Sequence, residues 1–336
     1  MRAVVHQGLH KKLAVETLAD PAPRDGEVVL SVGRCGICGS DLHMTEDPAF
    51  GVDKGAVLGH EFAGEVVALG KGVERLRMGD LVSVVPIASC GKCPSCLAGE
   101  PAWCATMNLQ GGGYSEFAVT HENQCVALPK SASMEDGAII EPLAVALHGV
   151  MMAEQKPGDN VLILGAGPIG LGVAFWARRF GAAKVVVQDI NRYQETRARA
   201  MGATDFIVDV AEPVAASDRA LGGKADIVYE CVGVPGLIRQ AVDQVRVKGT
   251  VLVLGLCTRP ETFVPFVALS KEVRIQTSAF FKRQEYEAAL DALDCGAAEP
   301  RALVTDTIDL DAVPDVFESL KKRTHQCKVL IAPGGV

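Results

Sequence analysis

The stretch Val161-Leu162-Ile163-Leu164-Gly165-Ala166-Gly167-Pro168-Ile169-Gly170 decides how the second half of this 336-residue chain folds. Four apolar residues read as a short buried strand, and Gly-x-Gly-x-x-Gly then opens a helix. Each glycine has its own task in that pattern. Gly165 permits the tight turn, Gly167 lets the backbone approach a pyrophosphate, and Gly170 allows helix and strand to pack closely. Pro168 and Ile169 begin the helix, whose free N–H groups and dipole favour a phosphate. These five residues are the candidate contacts to a dinucleotide.

From residue 160 onward, short apolar runs alternate with helix-length amphipathic segments. Strands are expected at 161–164, 184–188, 206–208, 226–230, 250–254 and 273–277. Such alternation means a parallel, doubly wound sheet, and six strands is the number the dinucleotide-binding fold requires. Asp189 ends the second strand, nineteen residues after Gly170. An acid there accepts hydrogen bonds from ribose hydroxyls and repels a 2′-phosphate, which favours NAD over NADP. Arg192 nearby is the kind of side chain that tolerates that phosphate.

The first 145 residues read differently. Runs such as Glu27-Val28-Val29-Leu30-Ser31-Val32 and Gly64-Glu65-Val66-Val67-Ala68-Leu69 are punctuated by Gly and Pro, which suggests an all-β unit of short strands. A helix at 284–293 and a polar tail ending in Lys328-Val329-Leu330-Ile331 follow the completed six-strand sheet, so they are expected to join the first unit.

Composition narrows the function. With 49% hydrophobic and 22% charged residues the chain is an ordinary globular protein, and a net charge of -8 argues against a nucleic-acid partner. The most apolar run, 161–177, holds four glycines and a proline and is explained by the dinucleotide motif, not by a membrane. Eleven cysteines, an odd number spread along the chain, do not form a disulfide framework. Met1-Arg2-Ala3-Val4-Val5-His6 has no apolar core of a secretory signal, so a cytoplasmic, reducing setting is expected.

Two groups of residues are suited to metal. Cys90, Cys93, Cys96 and Cys104 form Cys-x2-Cys-x2-Cys-x7-Cys. Four thiolates close a tetrahedron around zinc and leave no open position, which is a structural and not a catalytic arrangement. Gly91, Pro94 and Gly99 let the backbone fold around it. An iron–sulfur cluster and a metal-free loop are the competing readings. Cys38, His60 and Glu61 make a mixed shell of thiolate, imidazole and carboxylate. Three protein ligands leave room for water or substrate. By spacing alone this second group is weak.

The run Gly59-His60-Glu61-x2-Gly64-x5-Gly70-x2-Val73 resembles the zinc signature of the medium-chain dehydrogenase/reductase superfamily. The loop Cys35-Gly36-Ile37-Cys38-Gly39-Ser40-Asp41-Leu42-His43 resembles that family's catalytic-cysteine loop. The likeness covers essentially the whole chain, including the four-cysteine loop, Glu141-Pro142-Leu143-Ala144 and the nucleotide motif. It is strongest to the sorbitol, butanediol and threonine dehydrogenase-like enzymes.

The resemblance implies an α/β protein: a GroES-like, β-rich catalytic domain at 1–145 and 280–336, and a Rossmann domain at 146–279. It implies reversible hydride transfer between a secondary alcohol or polyol and NAD, with one catalytic and one structural zinc. Cys38, not Cys35, and His60 hold the catalytic zinc, with Glu61 a direct ligand or a partner behind one. Glu141 stands where classical alcohol dehydrogenases carry a second cysteine and binds zinc directly or through water. Asp41 either orients His60 or serves as a turn or cap. Ser40 and His43 form a proton relay; Cys35 and His148 are packing residues. Residues 44–57 and 103–109 and the region near Phe280 shape the substrate pocket, where Gly55-Ala56 replaces a proline common in the family. A homodimer or homotetramer joined through the nucleotide sheet is implied, with 251–254 and 273–277 as candidate edge strands. Two rivals remain. A zinc-free quinone or enoyl reductase of the same superfamily generally lacks the Cys38 and His60-Glu61 set. A nucleotide-sensing zinc module explains four cysteines but not Cys38, His60 and Glu61.

Overall fold

A computed structural model describes residues 1–208, 211–322 and 325–335. The chain divides into two compact units. The first comprises Met1–Glu141, Lys282–Ala297 and Val304–Val336; the second comprises Pro142–Phe281 and Ala298–Leu303. The tail therefore returns to the first unit, as the completed sheet requires, while the short segment Ala298–Leu303 groups with the second.

In the first unit one sheet runs in the order Val304–Ile308, Lys328–Ile331, Glu27–Gly36, Glu61–Leu69, Leu81–Val84, Cys125–Ala127. Phe117–His121 also pairs with Glu27–Gly36. The long pair Glu27–Gly36 and Glu61–Leu69 is antiparallel. Their apolar residues, among them Val28, Leu30, Val32, Phe62 and Val66, meet Phe317, Val329 and Ile331 in one core. One row of register matters for function. Gly36 sits opposite Glu61 on one side and opposite Leu330 on the other. Side chains alternate along a strand, so Lys328, two residues before Leu330, shares the face of Glu61.

In the second unit all six strands are parallel. Their order is Asp205–Ile207, Lys184–Gln188, Asn160–Leu164, Ala225–Glu230, Val245–Val253, Arg274–Thr277. In sequence rank this is 3-2-1-4-5-6, the doubly wound dinucleotide-binding arrangement. The order corrects one expectation. Residues 251–254 are not an edge, because Val245–Val253 pairs on both sides and only Arg274–Thr277 is left at that border. Both segments are short, and neighbour order is not encoded in either one. Among the described residues no helix is long and apolar enough to cross a membrane.

Candidate functional site

The four cysteines of the first group lie on one short excursion of chain. Cys93 precedes the turn of helix Pro94–Leu97, and Cys104 follows the 3-10 turn Pro101–Trp103. Gly91 and Gly99 adopt left-handed backbone, which turns the chain back on itself. All four sulfurs fall within 4.8 Å of one another, with Cys93–Cys96 at 3.5 Å and Cys90–Cys96 at 3.9 Å. A tetrahedron with zinc–sulfur bonds of about 2.3 Å has sulfur–sulfur edges of about 3.8 Å, so this cluster fits the ion. Local donors already favour a thiolate at Cys104. The N–H of Cys90, then the hydroxyl and N–H of Thr106, hold its pKa down to about 6.

The second group is built from distant pieces of chain. Cys38 stands at the start of helix Gly39–Glu46, and its N–H donates to Asp41 Oδ2 at 3.0 Å. His60 ends the preceding loop, and Glu61 begins strand Glu61–Leu69. Donor atoms of Cys38, His60 and Glu61 all lie within 4.8 Å of one another. His60 and Glu61 are buried and Cys38 is half-buried. One soft, one borderline and one hard donor gathered at a half-buried spot fit a zinc with an open position.

Asp41, fully buried, lies with Oδ1 3.3 Å from the Nδ1 of His60. Burial pushes its carboxyl up, but His60, the Tyr114 hydroxyl and the Cys38 N–H outweigh that and bring it below its usual range. Burial opposes a charged His60 ring, yet Asp41 and Cys38 draw its pKa well above the ordinary histidine value. A metal held by this imidazole would have to displace that proton.

Two residues absent from the sequence reading complete the site. Lys328 Nζ lies 2.5 and 2.8 Å from the two oxygens of Glu61 and donates to Ile37 O at 3.0 Å. Both charges are buried, at 1% relative exposure each. The pair crosses the space that Gly36 leaves empty, since a Cβ there would collide with Glu61 Oε2. Tyr114 is the second. Its hydroxyl donates to Asp41 Oδ2 at 2.6 Å. Its ring presses on Gly59, where a Cβ would strike both the ring and Cys35 Sγ. Gly59 has φ +88°, so close approach and backbone both call for glycine there.

Glu141, on helix Met134–Met152, is buried but stands outside the 4.8 Å group. Burial, then the charges of Glu61 and Asp41 set against His60 and Lys328, push its pKa up to about 7. His148, two turns along the same helix, is also buried. Ser40 and His43 are half-buried on helix Gly39–Glu46, three residues apart and thus on one face. The His43 ring stacks on Phe50 with centroids 6.2 Å apart. Cys35 is buried in the core.

In the second unit, Gly165 turns left-handed after its strand, and Gly167 caps helix Pro168–Arg179 with Pro168 in its first turn. A Cβ on Gly170 would collide with Gly165 O. A Cβ on Gly167 would meet nothing within 4 Å. The protein itself does not demand glycine there; the open cradle at a helix N-terminus suits a pyrophosphate. Asp189 follows directly on strand Lys184–Gln188. It is buried, and its Oδ2 accepts the N–H of Ala166 at 2.8 Å, tying the second strand to the glycine loop. Arg192 is exposed and pairs with Glu195 at 2.6 Å.

One unit with a doubly wound sheet and a glycine cradle, and another, β-rich, with two candidate metal-ligand sets, together point to a dinucleotide-linked metal oxidoreductase. Comparison with known proteins makes this specific. Residues 24–130 match the model of the alcohol dehydrogenase GroES-like domain, and residues 168–294 match the zinc-binding dehydrogenase model. Sorbitol dehydrogenase of Bacillus subtilis (strain 168) is 31% identical over 346 residues, covering 98% of this chain and 96% of its own. An alcohol dehydrogenase of Escherichia coli CFT073, solved with NADH, is similar at 29% identity and TM-score 0.90 over 99% of both chains. A zinc-binding dehydrogenase of Sinorhizobium meliloti 1021, bound to NADP, is similar at 32% identity and TM-score 0.90, again over 99% of both chains. The chain belongs to the zinc-dependent medium-chain dehydrogenase/reductase superfamily and is an alcohol dehydrogenase-type oxidoreductase.

Proposed function

We propose that this enzyme oxidises a secondary alcohol or polyol with NAD, reversibly, at a centre held by Cys38 and His60. Glu61 and Glu141 belong to the same centre, and Cys90, Cys93, Cys96 and Cys104 hold a second, purely structural zinc. The observation that carries the reading is the convergence of Cys38, His60 and Glu61 donors within 4.8 Å, with Asp41 behind the imidazole. When bound, zinc supplies the Lewis acidity that makes an alcohol hydroxyl acidic, and NAD supplies the hydride acceptor.

The residues of the chain do the rest. Asp41 fixes the tautomer of His60 so that Nε2 faces the metal position. Lys328 already neutralises Glu61, so Glu61 engages a metal only by loosening that pair. This favours Glu61 as a partner behind the ligands. Glu141, with a pKa near neutrality, is suited to hold a water or a substrate hydroxyl. Ser40 and His43, on one helical face, are suited to pass a proton towards solvent. The polyol class is supported by the sorbitol dehydrogenase relative.

NAD is favoured over NADP by Asp189 and by the engagement of Arg192 with Glu195. The glycine loop of Gly165, Gly167, Pro168, Ile169 and Gly170 takes the pyrophosphate. The unit of Met1–Glu141, Lys282–Ala297 and Val304–Val336 serves as the catalytic domain, and the unit of Pro142–Phe281 and Ala298–Leu303 as the nucleotide domain. The enzyme works in the cytoplasm as a homodimer or homotetramer. Its association through the Arg274–Thr277 border is supported by the exposed Val264, Phe266, Leu269 and Ile275 in that region. The test is Cys38→Ala. It should lose one zinc and nearly all alcohol-dependent NADH formation while still binding NAD. Unchanged turnover with unchanged zinc content overturns the assignment.

A further inference from the structure

We propose that Tyr114 is a positioning residue of the metal centre: its hydroxyl selects the carboxylate oxygen that Asp41 presents to His60. The inference rests on the reading that Cys38 and His60 hold zinc. Asp41 has two oxygens, chemically alike, related by rotation about one soft bond. Both well-formed hydrogen bonds go to the same one. Oδ2 accepts from Tyr114 at 2.6 Å and from Cys38 N–H at 3.0 Å. Oδ1 is buried with no well-aligned donor, and His60 Nδ1 lies 3.3 Å from it. The carboxylate is thus pinned on one side and open only towards the imidazole.

Packing alone does not explain the hydroxyl. Tyr114 is fully buried, its ring clamped against Gly59 and Cys35, and phenylalanine has the same ring. A phenol in an apolar core costs stability unless it is hydrogen-bonded. Here its single bond goes to the one carboxylate behind a metal-binding histidine. With Cys38 N–H as the one donor left to Oδ2, Asp41 can rotate and share that donor between its oxygens. His60 then loses its fixed orientation.

Tyr114→Phe removes one oxygen and nothing else. Competition against a zinc chelator should show the catalytic zinc bound about three- to tenfold more weakly, less than the roughly 10- to 100-fold that direct partners of metal ligands contribute, since Tyr114 acts one step further out. The zinc of the four-cysteine lobe and the affinity for NAD should stay unchanged, and kcat should fall without a rise in the KM for NAD. In an Asp41→Ala background, which has no side-chain acceptor for the hydroxyl, the same change should have no further effect on zinc affinity, because the hydroxyl acts through Asp41. Two results overturn the proposal: unchanged zinc affinity in Tyr114→Phe whatever its melting temperature, or an equal loss in the Asp41→Ala background. The metal-site reading fails separately, if Cys38→Ala keeps both zincs.

Discussion

The two candidate metal sites of the first unit are built by opposite strategies. The lobe takes all its ligands from Cys90 to Cys104, on two short turns near the surface, and its sulfurs meet because intervening glycines reverse the chain. The other site draws on the start of helix Gly39–Glu46, the start of strand Glu61–Leu69, Tyr114 and Lys328 of strand Lys328–Ile331. In the lobe, hydrogen bonds from neighbouring backbone bring the Cys104 thiol down to about 6. In the buried site, burial and close charges dominate, and Glu141 rises to about 7. A local site needs little from the fold around it. A dispersed site gets its electrostatics from the fold and is assembled only when the fold is complete.

The comparison is broken most readily by exchanging the damage. Cys38→Ala should cost orders of magnitude in turnover and little stability. Cys93→Ser should do the reverse, destabilising the lobe by several kcal/mol as its zinc is lost, since metal binding in such loops is folding energy. Zinc content, thermal melting and turnover of the two variants check this, and similar profiles for both would collapse the distinction.

Next in size is Lys328→Met. Removing one partner of a buried ion pair leaves Glu61 charged and uncompensated, at a cost of about 3–5 kcal/mol. The loss should be largest in metal-stripped protein and smaller with zinc bound, because the ion neutralises Glu61 in place of the ammonium. Denaturant unfolding with and without metal reads this out. Equal losses in both forms would mean that Glu61 does not sense the metal.

The smallest effect is a pH dependence. Folded Glu141 titrates above its unfolded value, so its stabilising protonated form is present below about pH 4.5 and lost as pH rises through about 7. Metal-stripped protein should therefore lose stability between pH 5 and 8, on the order of 3 kcal/mol, and Glu141→Gln should flatten that slope. Melting curves at the two pH values are sufficient; an unchanged slope in the variant assigns the dependence elsewhere.

How much was legible follows from the same contrast. The four cysteines carry their geometry in their spacing, and the glycine loop carries its strand–turn–helix context with it. Both read directly from residue order, as did all six strands of the parallel sheet. Cys38, His60 and Glu61 were recognisable only through family resemblance, because nothing in their separation says that they meet. Tyr114 and Lys328 were missed. Tyr114 follows Gly111-Gly112-Gly113, a loop context that carries no sign of its partner Asp41. Lys328 heads an apolar tail strand, and its partner Glu61 lies 267 positions away. A lone lysine opening a buried strand was the available signal. The misplaced edge at 251–254 has the same origin, since strand order depends on pairings that no single segment encodes.

On this reading one of two zincs does the chemistry. Chelator titration of the native enzyme, following zinc content and alcohol-dependent NADH formation together, tests it most directly. The expected result is two zincs per chain, turnover that disappears with loss of the one ligated by Cys38 and His60 while the protein remains folded, and activity restored on adding zinc back. Full turnover after that site is emptied would contradict it.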